Sequence, residues 1–570
     1  MCSPDIRQLA ALILLLSGLT LSLLFSSTAD GATVGSLRQL AAPAGCVADG
    51  SAPITGCTSG RAMLGIAPFF GSHAVALSPD GKNLYAAAFN SDRVVAFDRS
   101  PRSGKLVQRN GATGRGMLKP TSVAVSRDGR SVYVASIVGS AIAVFDRNTK
   151  TGTLKQKSGS AGCVARSAEL GCAVGRALDG VDVVVVSPGG GNVYAGSFAS
   201  GAIVSFDRSS SGRIVQKSGG AGCTVEVATS GCRTGRALKG AEGMTISPDG
   251  GNVYVGAAIG NAVAVFRRNG ANGELSQPTG PAGCVAHNGA GGCASGDGLV
   301  GADSMQVSPD NKNLYVASGV GSSVAIFRRS TTSGRLTQLS GVAGCFTDRT
   351  RDLGRCNTGI ELDQPEGIAV SPDGRTVYVG SFASSAVTVF DRTGFTGTIT
   401  QRAGAHGCFV NVATAGCTTA TALGNANALA ISRDGRSVYV GSYSSNAVAA
   451  FDRAEPKAGH VTVSVPNRLG VPNGSVISIP VTCSGTAERR CPGGISIALS
   501  GSASGSRRGG SFNIAVGDSD DVSVVMPDSV RRALSANGSA TVTVTMRVAQ
   551  PSGRIAVFRQ QMRLGVSELG

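Results

Sequence analysis

The chain has 570 residues and carries 52 lysines and arginines against 35 aspartates and glutamates, a formal net charge of +17 at pH 7. With 15% charged residues, 42% hydrophobic residues and no tryptophan, the composition excludes a disordered polyelectrolyte. It also weighs against a nucleic-acid binder that stacks bases on aromatic stripes. Outside a cell, such a positive balance favours anionic surfaces, among them wall polymers and acidic polysaccharides.

In chain order, the first element is a signal-like segment. Met1–Arg7 holds one arginine, Leu9–Phe25 is almost wholly apolar, and Ser26–Ala29 supplies small residues for cleavage, with Ala32 as a second candidate. The reading is a signal peptide over 1–29 and a secreted or cell-surface protein. The same apolar run also fits a retained anchor, and no later stretch could span a membrane once it is removed.

A sevenfold repeat follows. Tyr85, Tyr133, Tyr194, Tyr254, Tyr315, Tyr378 and Tyr439 each lie seven residues after a serine (Ser78 to Ser432) and twelve before a phenylalanine (Phe97 to Phe451), at steps of 48, 61, 60, 61, 63 and 61 residues. In Gly367–Arg392, three runs rich in Val, Ile, Tyr and Phe are separated by Ser-Pro-Asp-Gly and by a small polar stretch, which reads as strands joined by tight turns. A fourth run, Gly-x-Leu/Ile-x-Gln, follows each unit, as in Gly152–Gln156 and Gly334–Gln338. Four antiparallel strands in each of seven repeats predict a seven-bladed β-propeller over residues 33–455. An extra copy at Gly35–Gln39 and none after Arg453 predict that residues 34–40 complete the last blade and close the ring, removing its exposed edges. An arginine two places after each phenylalanine (Arg99, Arg147, Arg208, Arg268, Arg329, Arg392, Arg453) and an aspartate in six of the seven turns (Asp80, Asp128, Asp249, Asp310, Asp373, Asp434) predict ion pairs between strand ends.

The 15 cysteines resolve into Cys2 and seven local pairs. These are Cys46 with Cys57, Cys163 with Cys172, Cys223 with Cys232, Cys284 with Cys293, Cys345 with Cys356, Cys408 with Cys417, and Cys483 with Cys491. This pattern predicts disulfides made outside a reducing cytosol. Zinc is disfavoured, since the pairs lack CxxC spacing and the chain has four histidines. The connection from Arg109 to Pro120 has no cysteine, so the stapled loops read as insertions between blades. From about residue 460 to 570, seven short alternating runs predict a C-terminal immunoglobulin-like β-sandwich, with a short helix from Asp528, taken as its cap, to Asn537 before Gly538.

Five residues before each repeat serine stand His73, Thr121, Asp182, Glu242, Asp303, Glu366 and Asn427. They form a polar ring at the start of an otherwise apolar innermost strand, at the rim of the expected channel. His73, Asp182, Glu242, Asp303, Glu366 and Asn427 are the candidate ligand-binding residues. Asp182, Glu242, Asp303 and Glu366 are also candidate metal ligands, since all-oxygen sets suit Ca²⁺ or Mg²⁺. The alternative is that these side chains cap strand ends or pair with Arg61, Arg176 and Arg236. Strand parity places them on the face of the apolar residues, directed between blades.

The segments Ser371–Arg392 and Ser247–Phe266, with their Ser-Pro-Asp-Gly…Tyr-Val core, closely resemble the YVTN-type repeats of seven-bladed lactonase-like propellers. The resemblance spans residues 34–453 and implies the fold; lactonases of this kind are thought to use channel-facing His, Glu and Arg, and here His73 stands alone. Metal-dependent gluconolactonase-like propellers use Glu, Asn and Asp, which Glu242, Glu366, Asp182, Asp303 and Asn427 match in type. Two functions follow as expectations. The first is a secreted binding or scaffold protein recognising an anionic ligand through the stapled-loop face. The alternative is an extracellular lactonase-type hydrolase using the channel ring, with Ca²⁺ or Mg²⁺ as its ion.

Overall fold

The computed structural model describes residues 34–68, 73–168, 171–351, 354–394, 396–454, 461–471, 476–485, 490–500, 510–515, 519–549 and 555–566. The signal peptide expected over 1–29 lies outside the described residues.

Each tyrosine repeat folds as three antiparallel strands, in the sixth repeat Pro365–Val370, Thr376–Ser381 and Ala386–Arg392. β-branched and aromatic side chains suit a pleated surface buried on both faces. The turn between the first two strands is fixed by its own side chains: Ser371 Oγ accepts the Thr376 amide and donates to Asp373 Oδ1. Gly374 takes a φ of +68°, open to glycine at no steric cost.

The stapled segments differ from the expectation. They are not insertions between the sheets but part of them. The third strand Ala386–Arg392 is met by Ile399–Gln401 along its C-terminal half and by Cys408–Val410 along its N-terminal half, and Thr418–Thr419 then adds in parallel. The sheet edge is thus one strand interrupted by the 3-10 turn Gly404–His406. Resuming the edge after the turn satisfies backbone groups that an inserted loop would leave to solvent. Six sheets have six strands, while the sheet of the first repeat has four and ends in the uninterrupted strand Leu106–Ala112.

All seven expected disulfides form, and the six in the repeats do so at one place. Cys46 bonds Cys57, Cys163 bonds Cys172, and Cys223 bonds Cys232. Cys284 bonds Cys293, Cys345 bonds Cys356, and Cys408 bonds Cys417. The first cysteine of each pair opens the resumed edge strand. The second stands immediately before the short parallel strand: Cys57 before Thr58–Gly60, Cys172 before Ala173–Val174 and Cys232 before Arg233–Thr234. Cys293, Cys356 and Cys417 likewise precede Ala294–Gly296, Asn357–Gly359 and Thr418–Thr419. The expected pairing is therefore right and its expected role is corrected: each bond ties the last two strands of a sheet.

The last of the six-stranded sheets is closed from the N-terminus. Leu37–Gln39 and Cys46–Asp49 both pair with Ala447–Arg453, in register Leu37↔Arg453 and Cys46↔Ala449. The innermost strand of each sheet touches that of the next, and that of the seventh repeat touches that of the first. The result is a closed, propeller-like ring of seven sheets.

Between sheets the tyrosine and the arginine form one clamp. Arg147 Nε donates to Tyr85 Oη of the preceding repeat (2.8 Å), Nη1 to the Gly129 carbonyl of its own turn (2.9 Å), and Nη2 to Asp80 of the preceding turn (3.0 Å). Tyr85 Oη in turn donates to the Gly152 carbonyl (2.7 Å). The set recurs around the ring, including the seam, where Arg99 meets Tyr439 and Asp434. These arginines hold inter-sheet contacts as expected. In the third repeat Gly189 stands in the turn-aspartate position, and Arg268 bonds Tyr194, Gly250 and Asn192 only.

Residues 461–566 form two sheets around one apolar core. Val461–Ser464, Val476–Gly485 and Ser519–Val525 make a three-stranded sheet. The second has five strands, in the order Arg468–Val471, Ile555–Val566, Ser539–Ala549, Arg490–Leu499, Ser511–Ala515. Arg468–Val471 was not anticipated; it is a four-residue strand pairing in parallel with Ile555–Val566. Cys483 and Cys491, both fully buried, join one sheet to the other. The helix Asp528–Asn537 stops at Gly538 (φ +66°) as expected, but Pro527, not Asp528, occupies its N-cap.

Candidate functional site

In repeats two to seven the ring residue is the extra residue of a β-bulge. Val181 pairs with Ser197 and Val183 with Gly196, so Asp182 has no opposite number. The same shift occurs at Thr121, Glu242, Asp303, Glu366 and Asn427. A bulge turns a side chain away from the direction that strict alternation would give it. The parity argument therefore fails at these positions. The bulges also let neighbouring inner strands approach closely. A Cβ on Gly243 would fall 1.4 Å from the Asp303 carbonyl oxygen, and one on Gly367 1.6 Å from that of Asn427.

The re-aimed side chains gather. Glu242 senses the charges of Asp303, Asp182 and Glu366 and hydrogen-bonds to Asp303. Asn427 Nδ2 donates to Glu366 Oε2 (3.0 Å) and to the Pro68 carbonyl (2.5 Å). The His73 ring reaches from the first repeat to the backbone of Met244 in the fourth, so it crosses the ring. Asp182, Glu242, Asp303, Glu366 and Asn427 are brought into one buried cluster, with Asp182, Glu242 and Glu366 between 1% and 3% exposed and Asp303 at 8%, while His73 is half-buried. Thr121 Oγ1 donates to the Asp182 carbonyl, a link between strands.

Burial dominates the electrostatics, because a carboxylate loses more solvation than its neighbours return. It raises Asp182, Glu242 and Glu366 well above the usual carboxylate range, helped at Glu242 by the three surrounding acids. Asp303 is also raised by burial, but the Gly319 amide (3.0 Å) and the hydrogen bond from Glu242 pull it back to about 7. His73 is pushed down to about 4 by burial and is neutral at pH 7. Glu242 and Asp303 are thus neighbours, both raised by burial, with their hydrogen bond raising Glu242 and lowering Asp303. Among the described residues, both carboxylate oxygens of Asp182 and Oε1 of Glu366 have no hydrogen-bond partner.

Gly319 follows the second strand of its repeat at the place that holds Phe89, Phe198, Phe382 and Tyr443 elsewhere. A Cβ there would lie 2.6 Å from Asp303 Oδ2 and 3.5 Å from Glu366 Oε1, so only glycine leaves its amide free to reach Asp303.

One expectation changes. Arg176 and Arg236 do not cap the ring acids; their guanidinium groups hold the carbonyls of Gly219 and Gly280 in the next repeat's 3-10 turn. Among the described residues no three acids, histidines or cysteines form a group spaced to hold a metal ion. Sequence reasoning missed the Gly319 amide and the Glu242–Asp303 pairing. The single glycine at a repeat position held elsewhere by Phe, Tyr, Ile or Ala was the available signal for the first.

A model of the lactonase family, described as a 7-bladed beta-propeller, matches residues 66–165, which include His73 and Thr121. The chain resembles a lactonase propeller. It is similar to a putative 6-phosphogluconolactonase from Bacteroides uniformis (21% identity, TM-score 0.43, covering 58% of this chain and 83% of that one). It is also similar to a periplasmic gluconolactonase from Pseudomonas aeruginosa (18% identity, TM-score 0.45, 68% and 96%). Among curated proteins none matches.

Proposed function

We propose that the chain is a lactonase-type hydrolase acting through the acid cluster, built as a seven-bladed propeller over residues 33–455 and an immunoglobulin-like sandwich over 460–570. The seven disulfides fit an oxidising compartment, and secretion by way of a signal peptide over 1–29 is part of the proposal.

The Glu242–Asp303 hydrogen bond carries the reading. Asp303, poised near 7, is matched to general-base work at neutral pH, and the protonated Glu242 beside it to general-acid work. Asp303 takes a proton from water as the water oxygen bonds to the lactone carbonyl carbon. The ring C–O bond breaks, and the leaving oxygen takes the proton of Glu242. The product is the open hydroxy acid, and the proton on Asp303 returns to Glu242 along their hydrogen bond. The Gly319 amide fixes Asp303, and the family match supports a lactone as substrate. Asp303→Asn and Glu242→Gln are each expected to lower turnover on a panel of sugar lactones by about 10²- to 10⁴-fold with the fold retained, measured by pH-stat titration. No turnover of any lactone by the wild-type protein, or unchanged turnover in both variants, overturns the proposal.

A second reading, recognition of an anionic ligand at the stapled-loop face, is favoured by a groove of about 990 Å³ lined by Arg233, Arg236, Arg267 and Arg268.

A further inference from the structure

Three places at which the fourth or fifth repeat departs from most of the others meet in one cavity. The first is the residue three places after the first cysteine of each pair. Asp49, Glu226, Asp348 and Asn411 stand there in four other repeats, each accepting a backbone amide of the following turn, from Met63, Leu238, Leu362 and Leu423, while Arg166 stands there in the remaining one and pairs with Asp179. In the fourth repeat the residue is His287, whose Nδ1 is buried and has no hydrogen-bond partner among the described residues. The second is the residue that opens the third strand. Ala141, Ala202, Ala262, Ala386 and Ala447 stand there in five repeats and Arg93 in the first; the fifth has Ser323, 2% exposed, whose Oγ likewise has no partner among the described residues. The third is the fifth repeat's stapled loop, which brings Arg351 and Arg355.

His287, Ser323, Thr347, Arg351, Arg355 and Asp297 line a cavity of about 510 Å³, within the range of small-molecule sites. Arg355 lies 3.5 Å from Asp297, while Arg351 reaches Asp363 only at 4.0 Å. Two guanidinium groups against one lining carboxylate leave the cavity with a net positive charge. Buried polar groups without partners are costly unless something satisfies them, and here they sit at positions where most repeats supply an alanine or an amide cap.

We propose that this cavity, separate from the channel cluster, binds a small hydroxylated carboxylate. The guanidinium groups take the carboxylate, as their planar donors suit it, and His287 Nδ1 and Ser323 Oγ take hydroxyl groups. A monoanion of one or two sugar rings, either a free sugar acid or the uronate end of an acidic polysaccharide, has this chemistry.

Isothermal titration of D-galacturonate and of trigalacturonate into the full-length protein tests it. Beside the wild type stand two double variants. One combines Arg351→Ala with Arg355→Ala. The other combines His287→Asn with Ser323→Ala, which restores residues used by other repeats and so preserves the fold. Binding by the wild type, weakened at least tenfold in both variants, is the expected result. Binding of the monomer assigns a free sugar acid, and binding of the trimer alone assigns a polysaccharide end. No heat with either ligand, equal affinity in the variants, or tighter variant-sensitive binding of inorganic phosphate overturns the proposal. Lactone turnover is expected to be unchanged in the histidine–serine variant, so failure here and failure of the channel reading are distinguishable.

Discussion

One arginine in each repeat ties three groups of the ring together, and the reason lies in what it is denied. Arg147 is fully buried while its partner Asp80 is about a third exposed, so the guanidinium depends on fixed acceptors, the tyrosine oxygen, a turn carbonyl and the aspartate. The turn acids feel the reverse. Burial pushes Asp80, Asp128, Asp249, Asp310 and Asp434 up, but the turn serine, a turn amide and the arginine outweigh it and hold them below the usual range. Their contribution to stability is present above their unfolded pKa and is lost as pH falls through the lower folded value. Where Gly189 replaces the acid, its backbone has no positive φ and a Cβ would meet nothing. Gly189→Asp is therefore expected to complete the clamp with Arg268 and add about 1 kcal/mol, read as a higher denaturant midpoint at an unchanged slope. A lower midpoint would mean that Asn192 already satisfies Arg268. The ring acids act in the opposite sense. Asp303, raised to about 7, stays protonated in the fold where the unfolded chain has ionised, so its stabilisation is lost as pH rises from about 4 through 7. Asp303→Asn is expected to flatten the decline in thermal midpoint between pH 5 and 8. An identical slope in wild type and variant would show that Asp303 titrates normally.

At the scale of elements, the sequence discloses what repeats and conceals what is irregular. Serine, tyrosine and phenylalanine at fixed spacing placed three strands in every repeat, and Gly35–Gln39 pointed to the strand that completes the last sheet. The bulges at Asp182, Glu242, Asp303, Glu366 and Asn427 were not legible, because a single extra residue alters no composition and strict alternation predicts the wrong face. The carboxyl cluster could be listed but not assembled: Glu242 and Asp303 come from different repeats, and the bulged geometry brings them together. The stapled segments were misread for a related reason. A glycine-rich 3-10 turn such as Gly159–Gly162 looks like the start of a loop, yet Cys163–Ala165 resumes pairing with Ala141–Ala143. The disulfide thus pins the last strands of a sheet. Replacing both Cys163 and Cys172 by alanine is expected to cost about 2–3 kcal/mol on the chain-entropy account, with faster amide exchange along Cys163–Ala165 and unchanged exchange in Ser131–Ser136. Uniform acceleration in both strands would mean that the staple acts on global unfolding alone.

The whole ring stands or falls on one joint. Each inner strand is covered by two neighbours, so no sheet is independent, and an open seam would expose two edges at once. Here the joint is made late in the fold and early in the chain. Leu37–Gln39 and Cys46–Asp49 lie along Ala447–Arg453, Tyr378 Oη donates to the Gly35 carbonyl (2.6 Å), and Arg402 bonds the Val34 carbonyl and Ser36 Oγ (3.0 Å for the latter). Pairing across some four hundred residues makes the ring topologically non-local, which slows closure but places the termini of the repeat array in one sheet. Deleting residues 34–41 would remove Leu37 from a core in which it is 4% exposed beside Tyr378 and Phe451, and leave Tyr378 and Arg402 without those acceptors. Cys46–Asp49 would still pair with the N-terminal half of the strand, so the deletion weakens the seam without abolishing it. The expected outcome is a thermal midpoint lower by many degrees, together with a tendency to associate through the uncovered edge at Phe451–Arg453, measured by calorimetry and light scattering. A midpoint within a degree or two of the parent, with no association, would mean that Cys46–Asp49 and the Arg99–Tyr439 clamp close the ring unaided.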